Sequence, residues 1–376
     1  MARVLLVVLL AAAPAPACTF CAGGLLSRQT LRERADQATS VVVGQLSNPR
    51  FDPAAVAGRT DFTATRVVKG GPFPAKFTVP QYLPVIGDTP ADYLLFCGTA
   101  ADGTPEVLHG QPATLALVAY LAALPSAKAD AVARLKHFAG PLSSTEPAVA
   151  TDAFLEFAKA SDAELVAARA VLPTDTIRRL LLDPATPTDR HGVLALLLGL
   201  CGTKSDAALL ASLIDGKPTP DRVRENIGGY LAALANLDPD AGWKRVAAIL
   251  ADPARPFDQR LAAVGVVRFF QASKPAETRP RAVACYRPLV GQGDFADVAI
   301  DDLRRWGWWE LTPDVLAAFD RPTHAAPVVR RGIVRYALCC PDDAAKAFVT
   351  RVRAADPKLV AGVEATLKLY DISPKK

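Results

Sequence analysis

Short segments rich in β-branched and aromatic residues dominate the chain between residues 40 and 110. Turn-forming residues such as Asn48-Pro49 and Gly70-Gly71 separate these segments. Segments of this length and spacing are typical of a small barrel rather than an open sheet. The predicted strands are Ser40–Leu46, Thr60–Val68, Lys76–Tyr82, Asp92–Cys97 and Pro105–Leu108.

Helix-forming residues flank the predicted strands on both sides. The segment Ser27–Ala38 opens with Ser27 as a capping residue and predicts a short helix. Two further helices are predicted at Ala113–Leu124 and Ala127–Phe138. Because side chains alternate between the two faces of a strand, one set of apolar residues is expected to share a single core. The set is Leu31, Val41, Val43, Phe62, Val67, Phe77, Leu94 and Phe96.

From residue 145 onward the strand signals stop, and apolar residues recur with the period of a helix. This region contains an internal repeat: Asp183–Arg190 reads DPATPTDR and Asp215–Arg222 reads DGKPTPDR, with further copies at Asp252–Arg260 and Asp320–Arg330. The starting aspartates are 32, 37 and 68 residues apart, so a degenerate copy is expected near Gly291–Asp294. Proline stops a preceding helix and is tolerated in a first turn, so each copy marks a repeat boundary.

Two kinds of helix are predicted around the copies of this motif. The first helices are Gly192–Leu200, Val223–Leu234 and Leu261–Phe270, and the second helices are Asp206–Ile214, Ala241–Leu250, Arg281–Val290 and Asp343–Ala354. Helix pairs at this period resemble HEAT-type repeats. The resemblance implies an α-solenoid whose stacked pairs bury a continuous core and leave a concave side for a partner.

The region before residue 140 resembles the netrin-like module, the OB-fold barrel of the tissue inhibitors of metalloproteinases. The features in which the chain resembles this module are an N-terminal cysteine cluster, Ala35-Asp36 at the end of a helix, the strand Val41–Gly44, a strand that ends with Val68-Lys69-Gly70, the strand Tyr93–Phe96 and a final helix. The chain departs from that family in its C-x-x-C spacing and in having Cys97 as the one further cysteine of the region. The resemblance implies an OB-like barrel, and it implies that the amine and carbonyl of an N-terminal Cys18 could bind the zinc of a protease.

The expected fold is therefore multidomain α+β, a small OB-like β-barrel with flanking helices followed by an all-α HEAT-like solenoid. Residues 1–17 combine Arg3, an apolar run and the small residues Ala15-Pro16-Ala17, a pattern typical of a secretory signal peptide. The expected domains are 1–17 as the signal peptide, 18–140 as the barrel and 141–376 as the solenoid. We accordingly expect an exported protein, periplasmic or extracellular, with acylation of Cys18 as a further alternative.

Charge and hydropathy narrow the choice of partners. The formal net charge is +5 and is spread along the chain, so no basic face for nucleic acid is predicted. No segment after the N-terminal one offers 18 uncharged apolar residues, so no later transmembrane span is expected. The expected partner is a protein or another component of the cell envelope.

The spacing of Cys18 and Cys21 is compatible with several kinds of chemistry. Residue 22 is Ala rather than His, which excludes c-type haem attachment, and no second pair of cysteines or histidines at similar spacing supports a zinc site. A redox dithiol usually follows a strand at a helix N-terminus, and that context is missing here. An oxidising compartment favours a disulfide from Cys18 or Cys21 to Cys97. Disulfide formation, lipidation and dithiol chemistry stay open, and no metal or cofactor is predicted.

The segment Arg304–Glu310, RRWGWWE, holds three of the four tryptophans. Its candidate binding residues are Arg304, Arg305, Trp306, Trp308 and Trp309. They could form an aromatic platform for a sugar or peptide with arginines for carboxylates, or they could fill the core of a degenerate repeat. The recurring residues Asp189, Arg190, Asp221, Arg222, Asp258 and Arg260 are interpreted as a structural ladder of caps and ion pairs between repeats.

No catalytic motif is found: the sequence lacks G-x-S-x-G, H-E-x-x-H and a phosphate-binding glycine loop between a strand and a helix. We therefore predict an exported, non-catalytic binding or scaffold protein that presents a helical-repeat surface to a macromolecule. Two alternatives are a thiol-redox protein that uses Cys18 and Cys21, and an envelope protease inhibitor that acts through the mature N-terminus.

Overall fold

The structure is a computed structural model that describes residues 27–85, 92–126 and 128–372. These residues fall into two compact units, 27–201 and 202–372. The first unit contains one β-sheet and several helices, and the second is helical throughout its described residues. The chain is thus α+β, as predicted.

An open, five-stranded antiparallel sheet forms the centre of the first unit, with the strand order β3-β2-β1-β4-β5. The expected barrel is wrong, because β3 and β5 lie at opposite edges and do not pair within the described residues. With only four residues, β3 offers few backbone groups to close a barrel. The strands are β1 Ser40–Asp52, β2 Ala57–Lys69, β3 Lys76–Val79, β4 Asp92–Thr99 and β5 Pro105–Pro112.

The first hairpin runs farther than the sequence predicted. Asn48-Pro49 was expected to end β1, but the pairing with β2 shifts register between Ser47 and Arg50 and the strand continues to Asp52. Asn48 has a φ of 52°, a conformation that Asn tolerates better than most residues. A β-bulge at this point therefore accommodates the turn-forming residues, and the pairing of β1 with β2 continues beyond them.

Both faces of the central strands are buried, so the prediction of one shared core is only partly correct. Val41 lies opposite Phe96 on β4, and this face lies beside α1, since His109 contacts both the Phe96 ring and Arg34. The other face holds a second apolar cluster that includes Phe62 and the partly buried Phe77. Val67, placed in the core by alternation, is 40% exposed. The rest of the predicted set is buried: Leu31, Val41, Val43, Leu94 and Phe96.

Polar capping residues define the helices of the first unit. Helix α1, Leu31–Gln37, begins after Thr30, whose hydroxyl accepts a hydrogen bond from the Glu33 N–H while the Glu33 carboxylate accepts from the Thr30 N–H. The predicted cap at Ser27 is therefore wrong, because Thr30 forms the complete capping box. The following helices are α2 Leu115–Ala122, α3 Ala131–Ala139, α4 Pro147–Lys159, α5 Asp162–Ala167, α6 Thr174–Leu182 and α7 His191–Cys201.

Buried polar contacts join α4 to α1. The Asp152 carboxylate accepts a hydrogen bond from the Leu31 N–H at 2.5 Å and one from the Tyr120 hydroxyl at 2.8 Å. Glu156, 2% exposed, accepts two hydrogen bonds from the Arg32 guanidinium at 3.1 Å. These bonds join residues on either side of the domain boundary expected near residue 140, and the compact unit that contains the sheet ends at Cys201.

The second unit consists of consecutive helices whose bounds lie close to the predicted ones. Helix α10 packs against α11 and α12, and α11 packs against α13. Among the described residues no helix has both the length and the apolar character needed to cross a bilayer. The helices are α8 Lys204–Asp215, α9 Asp221–Arg224, α10 Ile227–Leu237, α11 Pro239–Ala251, α12 Phe257–Ser273, α13 Pro275–Val290, α14 Ala296–Trp306, α15 Thr312–Ala318, α16 Pro327–Cys339, α17 Asp343–Ala355 and α18 Pro357–Ile372.

Replacing Phe96 by Ala tests the burial of the α1-facing side of the sheet. We expect a loss of about 3 to 5 kcal/mol in the free energy of unfolding, since a fully buried ring leaves a cavity. Urea unfolding followed by circular dichroism measures this loss. The exposed Val67→Ala is the control and should change stability by less than about 0.5 kcal/mol. A similar loss in both variants would contradict the observed burial.

Replacing Asp152 by Asn should change how stability depends on pH. Burial raises the pKa of Asp152 from 3.8 to about 6, so its ionised form is unfavourable in the folded state. The contribution of Asp152 to stability therefore falls as the pH rises from about 4 to about 6, by up to about 3 kcal/mol. Asn cannot ionise, so the stability of the variant relative to the native chain should rise over that interval.

Urea unfolding at a series of pH values measures this difference. The exposed Asp92→Asn provides the matched control, because it removes one carboxylate at the surface. An equal pH trend in both variants would show that Asp152 is not the group responsible.

Candidate binding site

The structure describes one of the three cysteines singled out by the sequence. Cys18 and Cys21 are outside the described residues. Cys97 lies on β4 with no exposed surface and has a free thiol. Burial raises the pKa of this thiol to about 11, which keeps it protonated and poorly reactive at neutral pH. The proposed link from Cys97 to Cys18 or Cys21 stays a prediction.

The tryptophan segment forms the end of α14 and the turn after it. Gly307 has a φ of 64°, which suits glycine, and its N–H donates to the carbonyl of Arg304. The N–H of Trp308 then donates to the carbonyl of Leu303 at 2.9 Å. These two bonds are those of a Schellman helix end, which turns the chain inward and directs Trp308 into the core.

The three tryptophans occupy different environments rather than one flat platform. Trp308 is 3% exposed, and the Arg279 guanidinium lies over its ring at 5.5 Å. Trp309 packs edge-on against Tyr336, with ring centroids 4.9 Å apart. Trp308 and Trp309 therefore have well-defined packing roles, whereas Trp306 is only partly buried.

Trp306 combines packing with access to a cavity. Its ring stacks on Tyr286 at 5.6 Å and approaches Trp308 at 4.7 Å. Beside it lies a cavity of about 570 Å³, here called the Trp306 cavity. Its lining residues are Arg268, Gln271, Ala272, Asp302, Arg305 and Trp306. This volume is within the range of small-ligand sites and of pockets for a peptide side chain.

Two of the five predicted binding residues, Arg305 and Trp306, thus line one cavity. Arg305 is exposed and bonds to Asp301 at 2.7 Å one helical turn earlier. Arg304 bonds to the same Asp301 at 2.9 Å but is more buried and does not line the cavity. Such exposed ion pairs contribute little stability, so the Arg305 guanidinium can exchange partners at small cost.

Asp302 is the charged centre of the cavity wall. Its Oδ2 atom accepts hydrogen bonds from Arg268 Nε at 2.8 Å and from the Tyr286 hydroxyl at 2.9 Å. Burial raises the pKa of Tyr286 well above its ordinary value, and the neighbouring Asp302 carboxylate raises it further. Burial alone would lower the pKa of Arg268, but its bond to Asp302 outweighs that effect and the pKa is raised. Tyr286 therefore stays a neutral donor and Arg268 a cation.

Gln271 has the one property in this cavity that points directly to a ligand. Its Oε1 atom is buried and has no hydrogen-bond partner among the described residues. An unpaired buried acceptor costs about 1 to 3 kcal/mol, which a donor from a bound molecule would recover. The Trp306 cavity therefore offers a cation at Arg305 and an aromatic ring at Trp306, and the Gln271 amide is part of its lining.

Sequence reasoning missed Arg268, Gln271 and Asp302. The signal that could have found two of them is the repeat itself, because Arg268 and Asp302 are 34 residues apart and face each other across one repeat. Gln271 has no comparable signal, since an amide in a helix is unremarkable until its surroundings are known.

The expected ladder of motif residues is present in part. The Arg260 side chain is almost fully buried and bonds to Asp294 at 2.5 Å and to Gln292 at 2.8 Å. Arg190, in the first unit, bonds to Thr151 at 2.7 Å. Asp221 instead pairs locally with Arg224, three residues later. The ladder is therefore made by the arginines more than by the aspartates.

Protein-family models, curated proteins and solved structures yield no match to this chain. The case for function therefore depends on the geometry of its own side chains.

Replacing Asp302 by Asn should destabilise the wall of the Trp306 cavity. We expect a loss of about 1 to 3 kcal/mol, because Asn removes the charge that pairs with Arg268 and weakens the bond from Tyr286. Urea unfolding followed by tryptophan fluorescence measures the change. The control Asp314→Asn breaks the exposed pair with Arg287 and should cost no more than about 1 kcal/mol. Equal effects would argue against a special role for Asp302.

Proposed function

We propose that this chain is an exported, non-catalytic binding protein of the cell envelope, and that its helical unit binds an acidic polypeptide segment at the Trp306 cavity. The unpartnered Gln271 Oε1 atom carries the proposal, because a buried acceptor without a donor is rare in a folded protein. A polypeptide backbone supplies N–H donors that fit this atom.

The remaining groups of the cavity define the chemistry of the partner. Arg305 is exposed and its pair with Asp301 is easily exchanged, so it favours a carboxylate. Trp306 offers its uncovered part to an apolar or aromatic side chain. An acidic residue next to an apolar one, in an extended or turn segment, fits both contacts together with a donor to Gln271.

The architecture proposed for this unit is a HEAT-like solenoid. The packing of α10 on α12 and of α11 on α13 supports it, since like helices of successive pairs stack in such arrays. The contact between Arg268 and Asp302 across 34 residues agrees with the period of the repeat. A solenoid offers a wide surface on which an extended partner can continue beyond one cavity.

The proposal for the first unit concerns export of the chain and the state of its N-terminal cysteines rather than binding. One hypothesis combines export through a signal peptide at residues 1–17 with a netrin-like origin for the sheet. In this hypothesis either Cys18 or Cys21 is linked to Cys97, or Cys18 is acylated. Reductive mass spectrometry of the purified mature chain distinguishes these outcomes, because an acylated and a bridged cysteine differ in mass.

Replacing Arg305 by Glu should reduce peptide binding at least tenfold. Fluorescence anisotropy with a labelled peptide library, acidic and basic members at equal hydrophobicity, measures the affinity of the full chain. We expect the acidic peptides to bind best and to lose affinity in the variant, because Glu repels a carboxylate. Arg331→Glu, an equal charge change at an exposed residue of α16, is the control and should leave the affinity unchanged.

The variant Gln271→Leu separates binding from folding. Removing an unpaired buried acceptor should leave stability unchanged or raise it slightly, while the peptide loses its hydrogen bond and severalfold in affinity. If neither Arg305→Glu nor Gln271→Leu alters the affinity of acidic peptides, the proposed site is wrong.

A further inference from the structure

A second cavity lies in the helical unit, between two copies of the repeated turn motif. Its volume is about 590 Å³, and residues 214–219 form one wall while Arg255 and Gln259 of the next copy form another. We call it the Lys217 cavity. Its lining residues are Ile214, Asp215, Gly216, Lys217, Thr219, Arg224, Ile227, Arg245, Ala248, Ile249, Arg255 and Gln259.

Positive charge dominates this lining. Four cationic side chains, Lys217, Arg224, Arg245 and Arg255, face a single carboxylate, Asp215. Arg245 donates to both oxygens of Asp215, so this pair is largely neutralised.

The other three cations stay available to a ligand. Arg224 and Arg255 pair only with exposed aspartates three residues earlier in sequence, outside the cavity lining. Lys217 is exposed and forms no ion pair with a described residue. Exposed local pairs are weak, so an entering oxyanion can compete for both guanidiniums and meets the Lys217 ammonium as well.

Apolar side chains complete the lining. Ile214 lies in the last turn of α8, Ile227 begins α10, and Ala248 and Ile249 lie on α11. Ile249 and Ile227 are each 7% exposed, so their side chains are well packed. A molecule that fills the cavity can therefore contact both cationic and hydrocarbon groups.

The repeated motif contains two kinds of cationic residue: one that holds helices together and others that line the cavity. The last arginine of the third copy, Arg260, is buried and pairs with Asp294. The residues that line the cavity, Lys217 and Arg255, stand at the interior of the turns, where the copies differ from one another. Their charges are not used to hold helices together.

We infer that the Lys217 cavity binds a small amphiphilic anion, a carboxylate or phosphate head joined to a short apolar chain. The head would contact Lys217, Arg224 and Arg255, and the chain would lie along Ile214, Ile227 and Ile249. This site is independent of the Trp306 cavity and of any peptide bound there.

Isothermal titration calorimetry of the full chain tests the inference with four probes. Decanoate and decyl phosphate carry the two possible heads, decyltrimethylammonium reverses the charge, and inorganic phosphate lacks the chain. We expect at least one of the anionic amphiphiles to bind, with tenfold or greater preference over both controls. Which of the two binds more tightly identifies the head group. Affinity should also rise from hexanoate to decanoate as more of the apolar wall is covered.

The variant Lys217→Glu should weaken binding of the preferred probe at least tenfold. Lys217 is exposed, so the replacement leaves folding intact, and Lys358→Glu on α18 is the matched control with unchanged affinity. Arg255→Glu provides a second loss of affinity by the same mechanism.

Three results would overturn the inference: no binding of either anionic amphiphile, equal binding of decyltrimethylammonium, or equal binding of inorganic phosphate. Peptide binding measured on Lys217→Glu keeps the two sites distinguishable, because it should not change whether or not the amphiphile binds.

Discussion

Two arginines on one helix connect α12 to the next repeat, and much of the helical unit depends on them. Arg260 bonds to Asp294 and Arg268 bonds to Asp302, and each pair spans 34 residues. Both the arginines and the aspartates are eight residues apart, so the two bridges act in parallel and fix the register between α12 and the segment 294–302. A guanidinium as buried as that of Arg260 must be paired, since leaving it alone would cost several kcal/mol.

Arginines of the repeated motif also contact aromatic rings. The guanidinium of Arg260 also lies over the ring of Phe295 at 5.0 Å, and Arg330, at the last copy, lies over Phe319 at 4.2 Å. An arginine at this point can thus satisfy its charge and cover an aromatic ring in one contact. The turn residues before this arginine do not make that contact, so their side chains can line cavities.

Local sequence predicted most of the elements but not their arrangement. Alternation and turn residues found all five strands, because each strand is set by its own β-formers and the breaks beside it. Closure and register depend on contacts between distant segments, so the open sheet and the bulge at Asn48 were missed. Val67 shows the limit clearly: alternation assigned it to the core, yet it is 40% exposed.

The candidate binding residues divide in the same way. Clustering of tryptophan and arginine in RRWGWWE marks a candidate segment, but composition could not separate Trp308, which fills the core, from Trp306, which borders a cavity. That distinction comes from the helix end at Gly307, which turns the chain between them. Gln271 and Arg268 reach the cavity from α12, and only the 34-residue period connects α12 to α14 in sequence. A cavity lined by residues from two copies of a repeated motif is therefore hard to find from sequence, because neither copy alone contains all of its lining residues.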